Sequence, residues 1–356
     1  MKTKYTVLGI MSGTSLDGLD LCLCEFYYTN EKFSFRIINS QTITYEHEIL
    51  SKLKSCYTIS GIELIRFHKE YGDYIGKKSK IFLKNKQKPD FIASHGHTVF
   101  HRPQERLTFQ IGDGAFIAAA SEITCISDFR NLDTALSGQG APLVPIGDKY
   151  LFSEYKFCLN LGGFANISFD TPENKRIAFD ICPVNIIANK FSEILGSQYD
   201  KDGDFGASGK ICKELLSELN QIEFYKLKHP KSLGFENVEK TFLPIFSKYI
   251  INENDKLRTL YEHISIQISK ILNENYYRKS EKVLITGGGA YNKFLISLIQ
   301  EKTEPEIHIP EPEIIEFKEA LIFAFLGVLR FENINNCLSS VTGALSDNSS
   351  GIINFL

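Results

Sequence analysis

No stretch of this 356-residue chain approaches the ~18 apolar residues that a membrane-spanning helix needs. The longest run, LIFAFLGVL at 321–329, has the length of a buried helix. Charge of one sign is not in excess either. The 40 Lys and Arg against 43 Asp and Glu leave a net −3, which gives no general reason to bind nucleic acid or an anionic membrane. The apolar TVLGIM behind Lys2 and Lys4 is shorter than a signal-peptide core and runs into a polar turn, so a cytoplasmic protein is expected. The eight cysteines contain no C-x-x-C pair. Cys22 and Cys24 would share one face of a strand, which suits buried small hydrophobes better than a disulfide or zinc framework. Two glycine signatures are also missing: there is no G-x-x-x-x-G-K-[ST], and no G-x-G-x-x-G opens a helix after the first strand. What remains is an ordinary globular composition, 43% hydrophobic and 23% charged, with a small molecule as the expected partner.

The length favours two domains. The first third reads as three strands (YTVLGIM, LDLCLCEF and one near SFRIINSQTITY) and a helix across GIELIRFHKEYGDYIGKKSKIFLKN. A short strand DFIASH and a helix-like DGAFIAAASE follow, leading to ITCISDF. Around residue 157 the pattern starts again: FCLNLGGFANISFD is a strand, a Gly-Gly turn and a strand, followed by strand KRIAFDI and a helix from NIIANKFSEIL. The two starts share a shape though not residues, which indicates an internal duplication with a small-residue hairpin heading each half. From 207 the chain is mainly helical, and it returns to α/β with KVLITGGGAYNKFLISLIQEK. The expected architecture is α/β: two duplicated domains facing each other across a cleft. One is 1–128, completed by ~340–356; the other is 129–340 with a helical insertion.

LITGGGAYNKF is a strand, three glycines and a helix, a pattern that lets backbone N–H groups and a positive helix end approach a nucleotide. The glycine turns GTSLDG and LGGFAN add two further backbone-donor surfaces, and together the three favour nucleotide binding. Asp180 in AFDICPVN ends a strand, where a carboxylate can act as general base or belong to the cap region of the next helix. His95, His97 and His101 in ASHGHTVFH lack a carboxylate or cysteine at helical spacing, so hydrogen bonding to substrate or within a turn is expected before metal binding. DKDGDFGASG imitates the start of a calcium loop, but Phe205 and Ile211 occupy the places that need Gly and Glu. The loop SDFRNLDTALSGQGAPLVPIGD carries Asp128, Arg130, Asp133 and Gln139, and Arg130 is the expected contact for an anion or sugar carboxylate.

MSGTSLDGLD, SHGHTVFH, QIGDGA, DFRNLD, GQGAPLVP, LNLGGFANIS, FDICPVN, PKSLGFE, TGGGAYN, EALIFAFLG and VTGA occur in that order. In this the chain resembles the anhydro-N-acetylmuramic acid kinases, from residue 9 to about 344. The resemblance implies an actin-like, ribonuclease-H-type fold of two domains around a nucleotide cleft. It also implies an enzyme that opens 1,6-anhydro-N-acetylmuramic acid with water and transfers the ATP γ-phosphate to O6, in murein recycling. By resemblance Asp180 is the catalytic aspartate and Glu319 a glutamate of the cleft. Gly13, Thr14, Ser15, Leu16, Asp17, Gly18, Leu19 and Asp20 match the ATP-binding stretch. Gly162, Gly163, Gly287, Gly288 and Gly289 complete the expected nucleotide contacts, and His95, His97, Arg130, Gln139 and Asn185 the expected sugar contacts. Mg2+ is expected with ATP, near Asp17 and Asp180 and with Asp20 in reach, and a homodimer is implied. A related kinase for another sugar and a catalytically silent nucleotide or sugar binder are the alternatives. The sequence departs from the family at Cys182 and Val184, where many members carry glycine, and at His97, where glutamine is usual. The first two side chains are expected to narrow the sugar pocket or to mark a shifted loop.

Overall fold

The computed structural model describes residues 2–13, 15–278 and 280–356. It divides into two compact units, one of residues up to Leu151 together with Phe317–Leu356, the other Phe152–Glu316.

In the first unit β1 (Lys4–Ser12) is the centre of the sheet because its apolar run is buried on both faces. It pairs antiparallel with β2 (Leu19–Thr29), which pairs antiparallel with β3 (Lys32–Ile43). On its other side it pairs parallel with β4 (Phe91–Arg102), and β4 with β6 (Cys125–Ser127). β5 (Leu107–Ile111) makes a hairpin with the far half of β4, and β12 (Ile352–Asn354) closes the edge antiparallel to β6. The strand expected at DFIASH is therefore about twice that length, since a hairpin partner, β5, extends it through GHTVFHR. Helix Gly61–Phe82 covers this sheet and starts at a capping box between Ser60 and Glu63. Cys22 and Cys24 are buried free thiols on β2.

In the second unit β7 (Phe157–Leu161), β8 (Phe164–Asp170) and β9 (Arg176–Pro183) form an antiparallel meander. β10 (Lys282–Thr286) pairs parallel with β7, and β11 (Glu306–His308) parallel with β10. Between β9 and β10 the chain is helical, and its longest helix, Glu253–Glu274, is capped by Asn252 and supplies Leu257, Ile264 and Ile268 to the core. The expected helix across ASGKICKELLSELNQI is interrupted: Gly209 is extended and pressed on the Asn254 carbonyl, so the regular helix runs only Lys213–Asn220.

Both sheets thus repeat one arrangement: an antiparallel meander of three strands, then two strands added parallel to the first. The unit boundaries differ from those expected at 128/129 and ~340. Helix Val144–Leu151 belongs to the first unit because its Asp148 makes a buried ion pair with Lys318 at 2.7 Å, its Gly147 lies against Ile322, and Tyr150 packs on Phe33 and Phe325. The same contacts draw residues 317–339 into that unit. Helix Pro312–Phe331 contains the LIFAFLGVL run, every residue of it buried. Among the described residues no helix is long and apolar enough to cross a membrane.

Candidate active site

In the first unit β1 and β2 are joined by residues 13–18. Thr14 lies outside the described residues. The Leu16 N–H donates to the Gly13 carbonyl at 3.3 Å, with Leu16 at φ 62°, a left-handed conformation that an ordinary side chain takes only at a cost of roughly 1 kcal/mol or more. Gly18 is demanded by packing, since a Cβ there would lie 2.5 Å from Thr42. Ser15 and Asp17 are exposed, Leu19 is buried, and Asp20 accepts a hydrogen bond from the Thr42 hydroxyl. Strand β1 passes so close to helix Pro312–Phe331 that a Cβ on Gly9 would overlap the Ala320 carbonyl. That contact fixes Glu319, one residue earlier. The Glu319 side chain still reaches solvent, but the protein crowded around it raises its carboxyl above the ordinary range, with Arg130 opposing the rise and Asp20 adding to it.

Arg130 donates from Nε to His95 Nε2 at 2.9 Å and from Nη1 to the Gly140 carbonyl at 2.7 Å. His95 Nδ1 lies 2.8 Å from the Gly96 carbonyl, so the proton sits on Nδ1 and the ring is neutral. Burial and the neighbouring Arg130 hold its pKa well below the ordinary value. Burial lowers the guanidinium of Arg130 to about 10, still charged at neutral pH, with Glu319 acting against the fall. Asp133 organises the loop that carries Arg130. It accepts the Gly140 N–H at 2.8 Å, the Thr342 hydroxyl at 2.8 Å and the Asn348 amide at 3.0 Å. Gln139 is exposed, its backbone N–H bonded to the Thr342 carbonyl.

Beside His95 is a polar crevice of about 210 Å³ that includes His68, Gln110, Asp113 and Asp128. The Gly112 N–H donates to His68 Nδ1 at 3.1 Å, which leaves the His68 Nε2 proton facing Asp113 at 3.6 Å. Sequence reasoning missed His68 and Asp113; the motif QIGDGA carried Asp113 but gave no sign of which residue it would meet.

In the second unit the carbonyls of the hairpin glycines bond within the fold. The Gly163 carbonyl accepts the Val184 and Ile186 N–H groups, and the Gly162 carbonyl accepts that of Asn185. The turn thereby satisfies the start of helix Asn185–Ile194. Gly163 itself has room: a Cβ would meet nothing nearer than Ile186 at 3.8 Å. After β10, Gly287 at φ 81° and Gly289 pressed on Leu161 are required by the fold, whereas Gly288 could carry a Cβ without conflict. Glycines that the protein's own packing does not require, Gly163 and Gly288, are those whose bareness suits close approach by a ligand. The helix after this turn begins at Lys293, capped by Asn292. A cavity of about 450 Å³ lies against Gly288 and Gly289, bordered by Asn185, Tyr199 and Tyr291. Asn185 is therefore in the neighbourhood of the triple-glycine turn.

Asp180 is half-buried on β9. Its backbone N–H donates to the Lys231 carbonyl at 3.1 Å, and its Oδ2 accepts the Leu233 N–H at 2.8 Å. Burial raises its pKa above 3.8, partly offset by the Leu233 N–H. The segment that clasps it, PKSLGFE, was visible as a motif but not as a partner of this strand. Cys182 and Val184 do not project into a ligand space: both are fully buried in the core of the unit. Asp200 accepts the N–H groups of Phe205 and Gly206 and the Tyr261 hydroxyl, which gives the aspartate-rich loop a structural role. Among the described residues no three His, Cys, Asp or Glu side chains gather as a metal-ligand group.

Two units, each built on the same five-strand pattern and each headed by a glycine-bearing hairpin, define a protein of the actin-like, ribonuclease-H-type class. Within that class the chain belongs to the anhydro-N-acetylmuramic acid kinase family, whose sequence model matches residues 5–355. It is 35% identical over 378 aligned residues to the anhydro-N-acetylmuramic acid kinase of Francisella tularensis subsp. novicida (strain U112), with 99% of each chain covered. It is 34% identical to that of Actinobacillus pleuropneumoniae serotype 7 (strain AP76) and 32% identical to that of Vibrio vulnificus (strain CMCP6), again over 99% of each chain. The chain is accordingly a kinase, a phosphotransferase.

Proposed function

We propose that the protein hydrolytically opens 1,6-anhydro-N-acetylmuramic acid and phosphorylates its O6 from ATP, giving N-acetylmuramic acid 6-phosphate and ADP. The observation that carries the mechanism is the clasp on Asp180: one carboxylate oxygen is held by the Leu233 N–H while burial raises the basicity of the group. A carboxylate so oriented and so tuned is suited to general-base work. In the proposed step water attacks C1, the C1–O6 bond breaks, O6 attacks the γ-phosphorus, and the bond to ADP breaks. The water proton passes to Asp180.

Phosphoryl transfer asks mainly for positioning and charge neutralisation. The strained turn at 13–18 and the spare glycines Gly163 and Gly288 support nucleotide contacts. The cavity beside Gly288 supports nucleoside binding, with Asn185 on that side rather than on the sugar. Arg130, His95 and the polar crevice next to them support recognition of a hydroxyl-rich, acidic sugar. Asp17 and Asp20 are hard oxygen donors, and the crowding of Asp20 and Glu319 suits a cation at this place. They would hold Mg2+, which supplies charge neutralisation to the phosphates when bound.

The deciding experiment is ADP release coupled to the anhydro sugar. Release that depends on both ATP and 1,6-anhydro-N-acetylmuramic acid is expected. ATP binding without release, for this sugar and for a panel of other sugars, would sink the catalytic reading in favour of a silent binder.

A further inference from the structure

The second unit has a further cavity of about 290 Å³, at the small end of the ~300–1,000 Å³ that small-molecule sites occupy. Phe179 of β9 lines it, and because side chains alternate along a strand, the neighbouring Asp180 points to the other face. Helix Glu253–Glu274 supplies Gln267, Lys270 and Glu274, at spacings of three and four that put them on one face. The segment before Leu233 adds Lys228, His229 and Lys231. Three ammonium groups thus meet one carboxylate, and among the described residues none of the three lysines is in an ion pair. Lys231 Nζ donates to the Phe224 carbonyl at 3.3 Å and lies 4.6 Å from the centre of the Phe224 ring. Burial, and after it the charge of Lys270, lower its pKa, a cost that an anion beside it would relieve.

The lining is held from behind by a buried polar network. Tyr225 donates its hydroxyl to His263 Nε2 at 2.7 Å, His263 Nδ1 donates to Asn220 Oδ1 at 2.7 Å, and Gln267 donates to the same oxygen at 2.8 Å. His263 is fully buried, and burial pushes its pKa down to about 3, so the ring stays neutral and both its nitrogens are engaged. At the cavity the rings of Phe179 and His229 stack at 5.6 Å, within 14° of parallel.

We propose that this cavity is a second ligand site, for a phosphomonoester of a small ring compound: Lys228, Lys231 and Lys270 take the phosphate, and the Phe179–His229 stack takes a face of the ring. The excess of two positive charges matches the about −1.5 to −2 of a phosphomonoester at pH 7, where a carboxylate would supply only one. Lys231 also joins the site to Asp180. Its side chain borders the cavity, its carbonyl accepts the Asp180 N–H, and Leu233, two residues on, donates to Asp180 Oδ2. A phosphate that draws the Lys231 ammonium from the Phe224 carbonyl loosens this clasp without competing with the sugar.

The test titrates the full-length chain with glucose 6-phosphate and with inorganic phosphate by calorimetry at fixed ionic strength, with a thermal melt of each variant. Lys231→Gln and Lys270→Gln should each weaken the ester about tenfold, the loss of one charge-assisted hydrogen bond. Glu274→Gln should tighten it about two- to fivefold, and Asp180→Asn should leave it unchanged. Should Lys231→Gln fail to fold, the exposed Lys270 and Glu274 carry the same test. Inorganic phosphate should bind about tenfold more weakly than the ester; equal affinities would overturn the ring contact and assign the site to the free ion. Saturating ester should lower the wild-type kcat about fivefold without raising the sugar KM, and should not lower that of Lys270→Gln at the same concentration. The proposal is overturned if neither probe binds at millimolar concentration, if the lysine variants bind as wild type does, or if 1,6-anhydro-N-acetylmuramic acid displaces the ester. Only the kcat readout rests on Asp180 as the base: binding with an unchanged kcat overturns the link to Asp180. A wild type that binds the ester yet turns over no sugar would instead overturn the proposed reaction and leave the site standing.

Discussion

Burial raises the Asp180 carboxyl while the Leu233 N–H pulls it down, and the balance lies upward. A base acts deprotonated, so kcat/KM should fall as pH drops through this raised value, with the acid limb above the 3.8 of an ordinary aspartate. Asp180→Asn should cut kcat by a factor of about 10² to 10⁴ with ATP affinity retained, checked by steady-state kinetics and calorimetry. The sign for stability is opposite. A carboxyl whose folded pKa exceeds its unfolded one weakens the fold above that range and ceases to do so below it. At pH 7 Asp180→Asn should therefore melt no lower than wild type, in a thermal scan. Asp180 and Arg130 stood out in the sequence as candidates because motif and position pointed to them. The clasp by Leu233 and the Asp133 bonds to Thr342 and Asn348 were not, since they join residues 53, 209 and 215 positions apart, beyond any local pattern.

At the scale of the element, the three-strand meander of the first unit has a buried charge at its middle. Glu25 on β2 meets Lys4 of β1 at 2.6 Å and Arg36 of β3 at 2.6 Å, and hydrogen-bonds Tyr27. Lys4 and Tyr27, then Arg36, hold its carboxyl at about 2, against an ordinary 4.5. Because the folded value is the lower, this stabilisation is present above about pH 4.5 and is lost as pH falls toward 2. Glu25→Gln should cost about 1–2 kcal/mol at pH 7 and much less near pH 2, read from denaturant midpoints, a modest figure because both cations are largely exposed. The triple-glycine turn gives a second contrast. Gly289→Ala forces a Cβ to within 2.7 Å of Leu161 and should lower the melting temperature by several degrees, an overpacking effect of about 1–3 kcal/mol. Gly288→Ala has space and should leave melting unchanged while weakening ATP binding; unchanged binding would remove Gly288 from the nucleotide contacts. The hairpins themselves were legible from two small-residue turns after apolar strands. Which glycine serves the fold and which a ligand was not, because that depends on Leu161 and Ile186, neighbours set by the packing of the unit.

For the whole molecule, the repeated order of strands was readable from the second start near residue 157, whereas the boundary was not. The polar, proline-containing loop before helix Val144–Leu151 looks like a hinge, but the helix is bound to the first unit by an ion pair and aromatic packing whose partners lie some 170 residues later. The C-terminal strand β12 completes the first sheet, with the Asn354 side chain reaching the Cys125 carbonyl and lying against Gly114. Removing residues 351–356 should expose the edge of β6 and lower the melting temperature, and ATP should raise the melting temperature of the truncated chain less than that of the intact one. Equal melting curves would show that the edge strand is dispensable.

The second unit is one unbroken segment set into the first, which resumes only at Phe317. On the ribosome this inverts the usual order. The residues synthesised first wait, with β1 and β4 paired but helix Pro312–Phe331 not yet made, while the later unit has its entire sheet and can fold at once. Until that helix emerges, Gly9 faces no Ala320 and Asp148 has no Lys318. The apolar face of the nascent N-terminal sheet is then the surface most in need of a chaperone.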